Sequence, residues 1–205
     1  MSIFAISDLH FSFGVDKPMM VFGNMWEGYE KKIKQNWKET VKENDIVIIP
    51  GDISWGINLN EALPDFKFID SLPGKKIIMR GNHDYYFSTK TKLEKFFKDN
   101  DINTIYVLHN NAIDIGEYIL CGTRGWGKTE NSDKKLDKKI IERESIRLKI
   151  SLDEGKKMQE NGVNKDIIVA MHFPPFISNY QNILKEYNVK KCIYGHLHRI
   201  WSFYD

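Results

Sequence analysis

An α/β fold built on a largely parallel sheet is what this sequence predicts, and three observations carry that prediction. Short apolar runs of strand length, such as Ile3–Ile6 and Asp45–Ile49, recur along the chain. Segments with helical spacing of apolar residues alternate with them. A cluster of Asp, Asn or His follows one run after another. That is where open α/β sheets place their sites, beyond the carboxyl ends of strands.

Taken in order, Ile3–Ile6 is a continuous apolar run suited to a strand buried on both faces. A loop with Gly14 and Pro18 leads to a helix over 26–43, where Trp26, Tyr29, Ile33, Trp37 and Val41 share a face. Asp45–Ile49 is the second strand. A helix over 60–71 follows, closed by Pro73-Gly74. Residues 76–79 form the third strand and deliver Arg80-Gly81-Asn82-His83-Asp84. Ser88 is the expected N-cap of a helix that buries Leu93, Phe96 and Phe97. Ile105–Leu108 is a strand, and 112–115 with 118–121 form a hairpin around Gly116-Glu117. A long helix spans about 132–160 and stops at Asn161-Gly162. Strands over 167–171, 191–194 and 200–204 complete the pattern, with a short helix near 179–187.

Composition narrows the function classes. At 205 residues, one domain with a sizeable core is expected. A formal net charge of +2 does not announce a nucleic-acid or membrane partner, and acidic residues interleave the lysines of the long helix. No apolar run approaches the ~18 residues that span a bilayer. The N-terminus lacks a basic leader and reads as a first strand. Cys121 and Cys192 lie in separate apolar runs without a CxxC motif. Two buried thiols in a reducing, cytoplasmic setting are expected.

Of the 6 histidines, only His109 falls outside the post-strand pattern. His10, His83, His172, His196 and His198 join Asp8, Asp52, Asn82 and Asp84 in it. Carboxylates, imidazoles and an amide oxygen, with no thiolate, suit manganese, iron or zinc. Asp8-x-His10 and His196-x-His198 are spaced so that an extended backbone would turn both members of each pair to one face. The set suffices for two cations, a pair that can activate water and clamp the oxygens of an in-line displacement. The positive surplus favours a phosphate-like anion.

Asp8-x-His10, Gly51-Asp52, Gly81-Asn82-His83-Asp84, His172 and Gly195-His196-x-His198 together resemble the calcineurin-like metallophosphoesterases, in order and from Asp8 to His198. Gly51-Asp52-Ile53-Ser54-Trp55 and Gly122-Thr123-Arg124-Gly125-Trp126 also look like a bacterial branch of predicted phosphohydrolases. The resemblance implies a four-layer α/β/β/α sandwich of two mixed β-sheets flanked by helices. It implies a single domain over 1–205 and two divalent metal ions, manganese first, with iron or zinc as alternatives. Asp8, His10 and His198 would hold one metal and Asn82, His172 and His196 the other, with Asp52 bridging. His83 would contact the phosphate and protonate the leaving oxygen, with Asp84 orienting it. The implied activity is metal-dependent hydrolysis of a phosphomonoester or phosphodiester. Family members usually run on past the last histidine pair, so either the second sheet is short or the natural chain continues beyond Asp205.

Arg80 and Arg124 are candidate substrate-binding residues, since a guanidinium can grip phosphate through two bonds. Trp55 and Trp126 suit either a cleft wall or the core. The expected partner is a small phosphorylated substrate. Nucleic acid is open but disfavoured without a basic stripe, and no membrane or obligate protein partner is evident. A non-catalytic protein-binding scaffold on the same fold is the rival reading. Such a scaffold would have lost the acid histidine or some ligands, and this chain keeps them all.

Overall fold

The computed structural model describes residues 1–127 and 134–198. Its backbone falls into two compact units, Met1–His109 and Asn110–Asp205, each with its own four-stranded sheet.

In the first unit, strands β1 (Ile3–Ala5), β2 (Ile46–Ile49), β3 (Lys75–Ile78) and β4 (Ile105–Val107) pair in that order, parallel throughout. Every residue of β2 is buried, as its unbroken Ile-Val-Ile-Ile run requires of a central strand covered on both faces. Three helices connect the strands: α1 (Tyr29–Thr40), α2 (Leu59–Asp70) and α3 (Lys90–Asp99). They pack Trp37, Phe66, Ile69, Leu93 and Phe97 into a core with Val47, Ile49 and Ile78.

Helix α1 begins three residues later than its periodicity suggests. Gly28, with φ of 61°, puts a left-handed residue at its start, and Trp26 sits in a preceding 3-10 turn. Asn58 caps α2, its side chain accepting from the amides of Asn60 and Glu61. Thr89, rather than Ser88, caps α3 through the amide of Lys92.

The second unit holds β5 (Ala112–Asp114), β6 (Tyr118–Thr123), β7 (Asp166–Met171) and β8 (Lys191–Tyr194). Here β5 and β6 form the expected antiparallel hairpin, while β6, β7 and β8 run parallel. Among the described residues, this sheet is mixed and that of the first unit is parallel throughout. Helices α4 (Lys134–Glu160) and α5 (Ser178–Glu186) bring Leu148, Leu152, Tyr180 and Ile183 onto Ile119, Ile167 and Val169. The strand expected over 200–204 lies outside the described residues.

Candidate metal centre and its supporting loops

The site residues of the first unit sit where β1, β2 and β3 end. Beyond β1 and β2 the two chains stay paired. The amides of Asp8, His10 and Phe11 donate to the carbonyls of Gly51, Asp52 and Ile53 at 3.1, 3.0 and 2.9 Å. Leu9 and Phe11 are buried and anchor this segment from inside. Asp8, His10 and Asp52 have φ of 58°, 47° and 52°. The expectation that an extended backbone turns Asp8 and His10 to one face is thus overturned. Their backbone is left-handed, a region that Asp and His enter more readily than most residues.

This conformation makes the three side chains converge. Their ligand atoms lie within 4.8 Å of one another. His10 Nε2 stands 4.0 Å from Asp8 Oδ1 and 3.8 Å from Asp52 Oδ2. Those separations exceed a hydrogen bond and suit donors arranged around one cation. His10 and Asp52 are fully buried, which suits neutral and anionic ligands that meet a cation and ill suits bare carboxylates. The donor set fits a divalent metal of the manganese, iron or zinc type. Tyr29 of α1 donates to the His10 carbonyl at 2.8 Å, and Trp55 stacks on the His10 ring at 4.7 Å.

The Gly51-Asp52 and Gly81–Asp84 loops clasp each other. The Asp52 carboxylate accepts from the His83 amide, and the Asp84 carboxylate accepts from the Asp52 amide, both at 2.8 Å. Asp84 also accepts from the amides of Gly81 (2.7 Å) and Ile53 (2.8 Å) and from the Tyr86 hydroxyl (2.8 Å). Burial pushes the Asp84 carboxyl pKa up, and these donors pull against it. The Asp84 oxygens are thus engaged by amides of both loops and by the Tyr86 hydroxyl. The glycines are required by this closeness. A Cβ at Gly81 would overlap Asp52, and Gly51, at φ 90°, faces Gly81.

Asn82 and His83 are half-buried. The His83 ring lies 5.7 Å from that of His10 and 4.8 Å from that of Trp55, beside the convergent ligands. Arg80 is half-buried, and its Nε has no hydrogen-bond partner among the described residues. Trp55 is a buried residue rather than an open stacking platform. Its indole donates to Met19 sulfur at 3.1 Å, and Lys17 and Phe22 lie against its ring.

A deeper brace was not foreseen. Buried Asp65 of α2 accepts from the Ser54 hydroxyl and from the Phe13 amide (2.8 Å), tying both loops to the helix. Burial pushes its pKa up to about 6. Only its place in a mostly apolar helix stretch could have signalled it.

In the second unit, His172 follows β7 and is fully buried; His196 and His198 follow β8. The amides of His172 and Phe173 both donate to the Arg124 carbonyl, at 3.1 and 2.9 Å. The rings of His172 and His196 meet edge-on at 5.1 Å. His196 and His198 have φ of 72° and 40°, so this pair too leaves the extended backbone expected of it. His198 is exposed. Arg124 reaches Glu144 (3.7 Å) and lies over the Trp126 ring at 5.0 Å. Trp126 donates to Asp137 of α4 at 2.8 Å.

Comparison with known proteins agrees with this arrangement. The model of the calcineurin-like phosphoesterases matches residues 1–199, and the chain belongs to that family. An uncharacterized protein of Methanocaldococcus jannaschii, MJ1445, is 28% identical over 134 residues, covering 57% of this chain and 73% of that protein. A protein of unknown function from Aquifex aeolicus, AQ665, superposes over 95% of this chain and 89% of its own with a TM-score of 0.48 and 20% identity. Another solved structure reaches a TM-score of 0.51 at 16% identity, over 94% of this chain and 82% of its own, and shares the fold. The family is one of metal-dependent phosphoesterases, and the convergent ligands of the first unit are of the matching type. Among the described residues, no helix is long and apolar enough to cross a membrane.

Proposed function

We propose that this protein is a two-metal phosphoesterase that hydrolyses a small phosphomonoester or phosphodiester by in-line displacement. The observation that carries the reading is the convergence of Asp8, His10 and Asp52, from two strand ends, within 4.8 Å. Asp8, His10 and His198 would hold one cation, and Asn82, His172 and His196 the other, with Asp52 shared. Manganese is the first candidate, then iron or zinc. When bound, such ions supply Lewis-acid activation of water and of the phosphoryl oxygens.

The chain's own residues do the rest. Asp52 is fixed by two loop contacts, so its carboxylate is oriented before any ligand arrives. His83, half-buried beside the ligands, gives a proton to the departing oxygen, a role typically worth ~10²–10⁴ in rate. Arg80, in the same loop, would meet a phosphate oxygen through its guanidinium. Two free cysteines suit a cytoplasmic setting.

The test is metal analysis of the purified protein together with manganese-stimulated hydrolysis of nitrophenyl phosphate and its bis-ester. His83→Ala should fold normally, keep its metal and lose about 10²-fold or more in kcat. Wild-type turnover in that variant removes His83 from the reaction. Protein that carries no metal, and is inert with each of the three metals on both esters, overturns the whole reading.

A further inference from the structure

The two loops that carry the site residues of the first unit run on, past those residues, into one cleft of about 450 Å³. The loop of Asp52 and Trp55 continues into Ile57, and the loop of Asn82, His83 and Asp84 continues into Tyr85. Lys92, Lys95 and Phe96 of α3 supply a further wall. Such a volume falls within the ~300–1,000 Å³ of small-molecule sites, which pair apolar walls with a few polar groups.

The walls describe an occupant. Ile57 and Tyr85 are 69% and 58% exposed, one on each loop. Single exposed apolar residues are ordinary, but two lining one cleft beside a site form a surface that a ligand covers. The Tyr85 ring stands 6.2 Å from the His83 ring at 85°, so a group laid on Tyr85 is a neighbour of the proposed proton donor. Buried Tyr86, tied by its hydroxyl to Asp84, anchors this wall to the site. Charge adds a second condition. Ion pairs of α3 join Lys90 to Glu94 and Lys95 to Asp99, and leave Lys92 without a carboxylate among the described residues. Asp99 is the one carboxylate among the described wall residues, so the walls as a whole favour an anion.

We infer that this cleft receives the alcohol part of the substrate, and that this part is a planar aromatic system carrying an anionic group. A ring suits Tyr85 and Ile57, because aromatic faces stack and bury a large apolar area. The anion suits Lys92. The inference deepens the phosphoesterase reading and rests on it for the word substrate, while affinity of the cleft for the free alcohol is tested without turnover.

The probe is 6-hydroxy-2-naphthoate, a planar alcohol with a carboxylate, titrated by its fluorescence into the full chain with a chelator present. The parent should bind it at about millimolar or tighter, as for a fragment of this size. Tyr85→Ala should weaken it about fivefold or more, and Tyr85→Phe, which keeps the ring, should stay within about twofold. Lys92→Gln should weaken it about threefold and leave 2-naphthol unchanged, whereas Lys38→Gln on α1 should alter neither by more than about twofold. No binding by the parent, or equal weakening by Lys92→Gln and Lys38→Gln, overturns the inference. A dimer in sedimentation that Tyr85→Ala dissociates would give these side chains to a second copy and overturn it too. With manganese, Tyr85→Ala should lower kcat/KM for the phosphate ester of the probe about fivefold and leave that for glycerol phosphate within about twofold; equal effects on both esters overturn the placement of the alcohol. Hydrolysis by the parent with probe binding absent sinks this inference alone. Absence of all hydrolysis, with Tyr85-dependent probe binding retained, sinks the enzyme reading and upholds the cleft as a binding site.

Discussion

Asp84→Asn separates two roles for the residue after the candidate acid. In the structure, one Asp84 oxygen accepts from the amides of Asp52 and Gly81, and the other from the Ile53 amide and the Tyr86 hydroxyl. An asparagine must turn its NH₂ toward one pair. The less costly choice faces Ile53 and Tyr86, since the tyrosine hydroxyl can rotate to accept. One buried amide is then left without an acceptor, at about 1–3 kcal/mol. The two bonds kept by Asp52 and Gly81 lose their charge and weaken to about half. Relief from burying a carboxylate returns part of this. The net expected loss is about 2–4 kcal/mol, or ~1–2 M in the urea midpoint for a slope of ~2 kcal/mol/M. Freed from its tether, Asp52 should also hold manganese about 10–100-fold more weakly, as for the loss of a group that orients a ligand. Equilibrium urea unfolding and metal titration read both. An unchanged midpoint and unchanged metal affinity, with an altered pH profile of kcat, would refute this reasoning and return Asp84 to the His83 imidazole.

Gly81→Ala tests the same clasp by steric means. The added Cβ would overlap Asp52, so a stability loss above about 3 kcal/mol and weaker manganese binding are expected in melting and titration; a variant as stable as the parent would show that the loops are not this close. Asp65→Asn tests the brace beneath. The folded pKa of about 6 lies above the unfolded value, so the folded state binds more protons between roughly pH 4 and 6. This group therefore favours folding below that window and loses its contribution as pH rises through it. Relative to Asp65→Asn, the parent should lose up to about 3 kcal/mol between pH 4 and pH 7 in paired urea titrations, and parallel stability–pH curves would sink the assignment.

The parts of this molecule that were legible in its sequence are those encoded by local pattern. Ile46–Ile49 reads as a central strand because every residue is apolar, and it is buried throughout. The residues placed after strands are legible for the same reason. The split into two sheets is not, because it depends on which strands pair across long separations, such as β6 with β7 rather than β4. The clasp made by Asp84 was not legible, because two of its donors lie on a loop some thirty residues earlier. The buried Glu144 beside Arg124 was invisible for another reason. On a helix with acids and bases interleaved, a buried carboxylate looks no different from a solvated one until the sheet covers it.

The left-handed residues join these threads. Eight described residues other than glycine have positive φ, and five of them are proposed ligands: Asp8, His10, Asp52, His196 and His198. The other three, Asp101, Asn110 and Asn188, are of types that enter this region at turns with little strain. A left-handed residue costs about 1–2 kcal/mol where the side chain has no local compensation, and five such residues make a substantial load for a marginally stable fold. Chance would scatter them among loops, yet they fall at the ends of β1, β2 and β8. Four of the five are held by neighbours: the Asp8 amide bonded to the Gly51 carbonyl, Leu9 and Phe11 buried on either side of His10, the amide and carboxylate of Asp52 both bonded, and Gly195 bonded to the His172 carbonyl just before His196. Backbone strain that survives inside such support is the mark of a site arranged before its ligand binds. A strand simply continued past Ala5 would have turned Asp8 and His10 to one face and Leu9 to the other. The bend is what lets two strand ends present three ligands to one point.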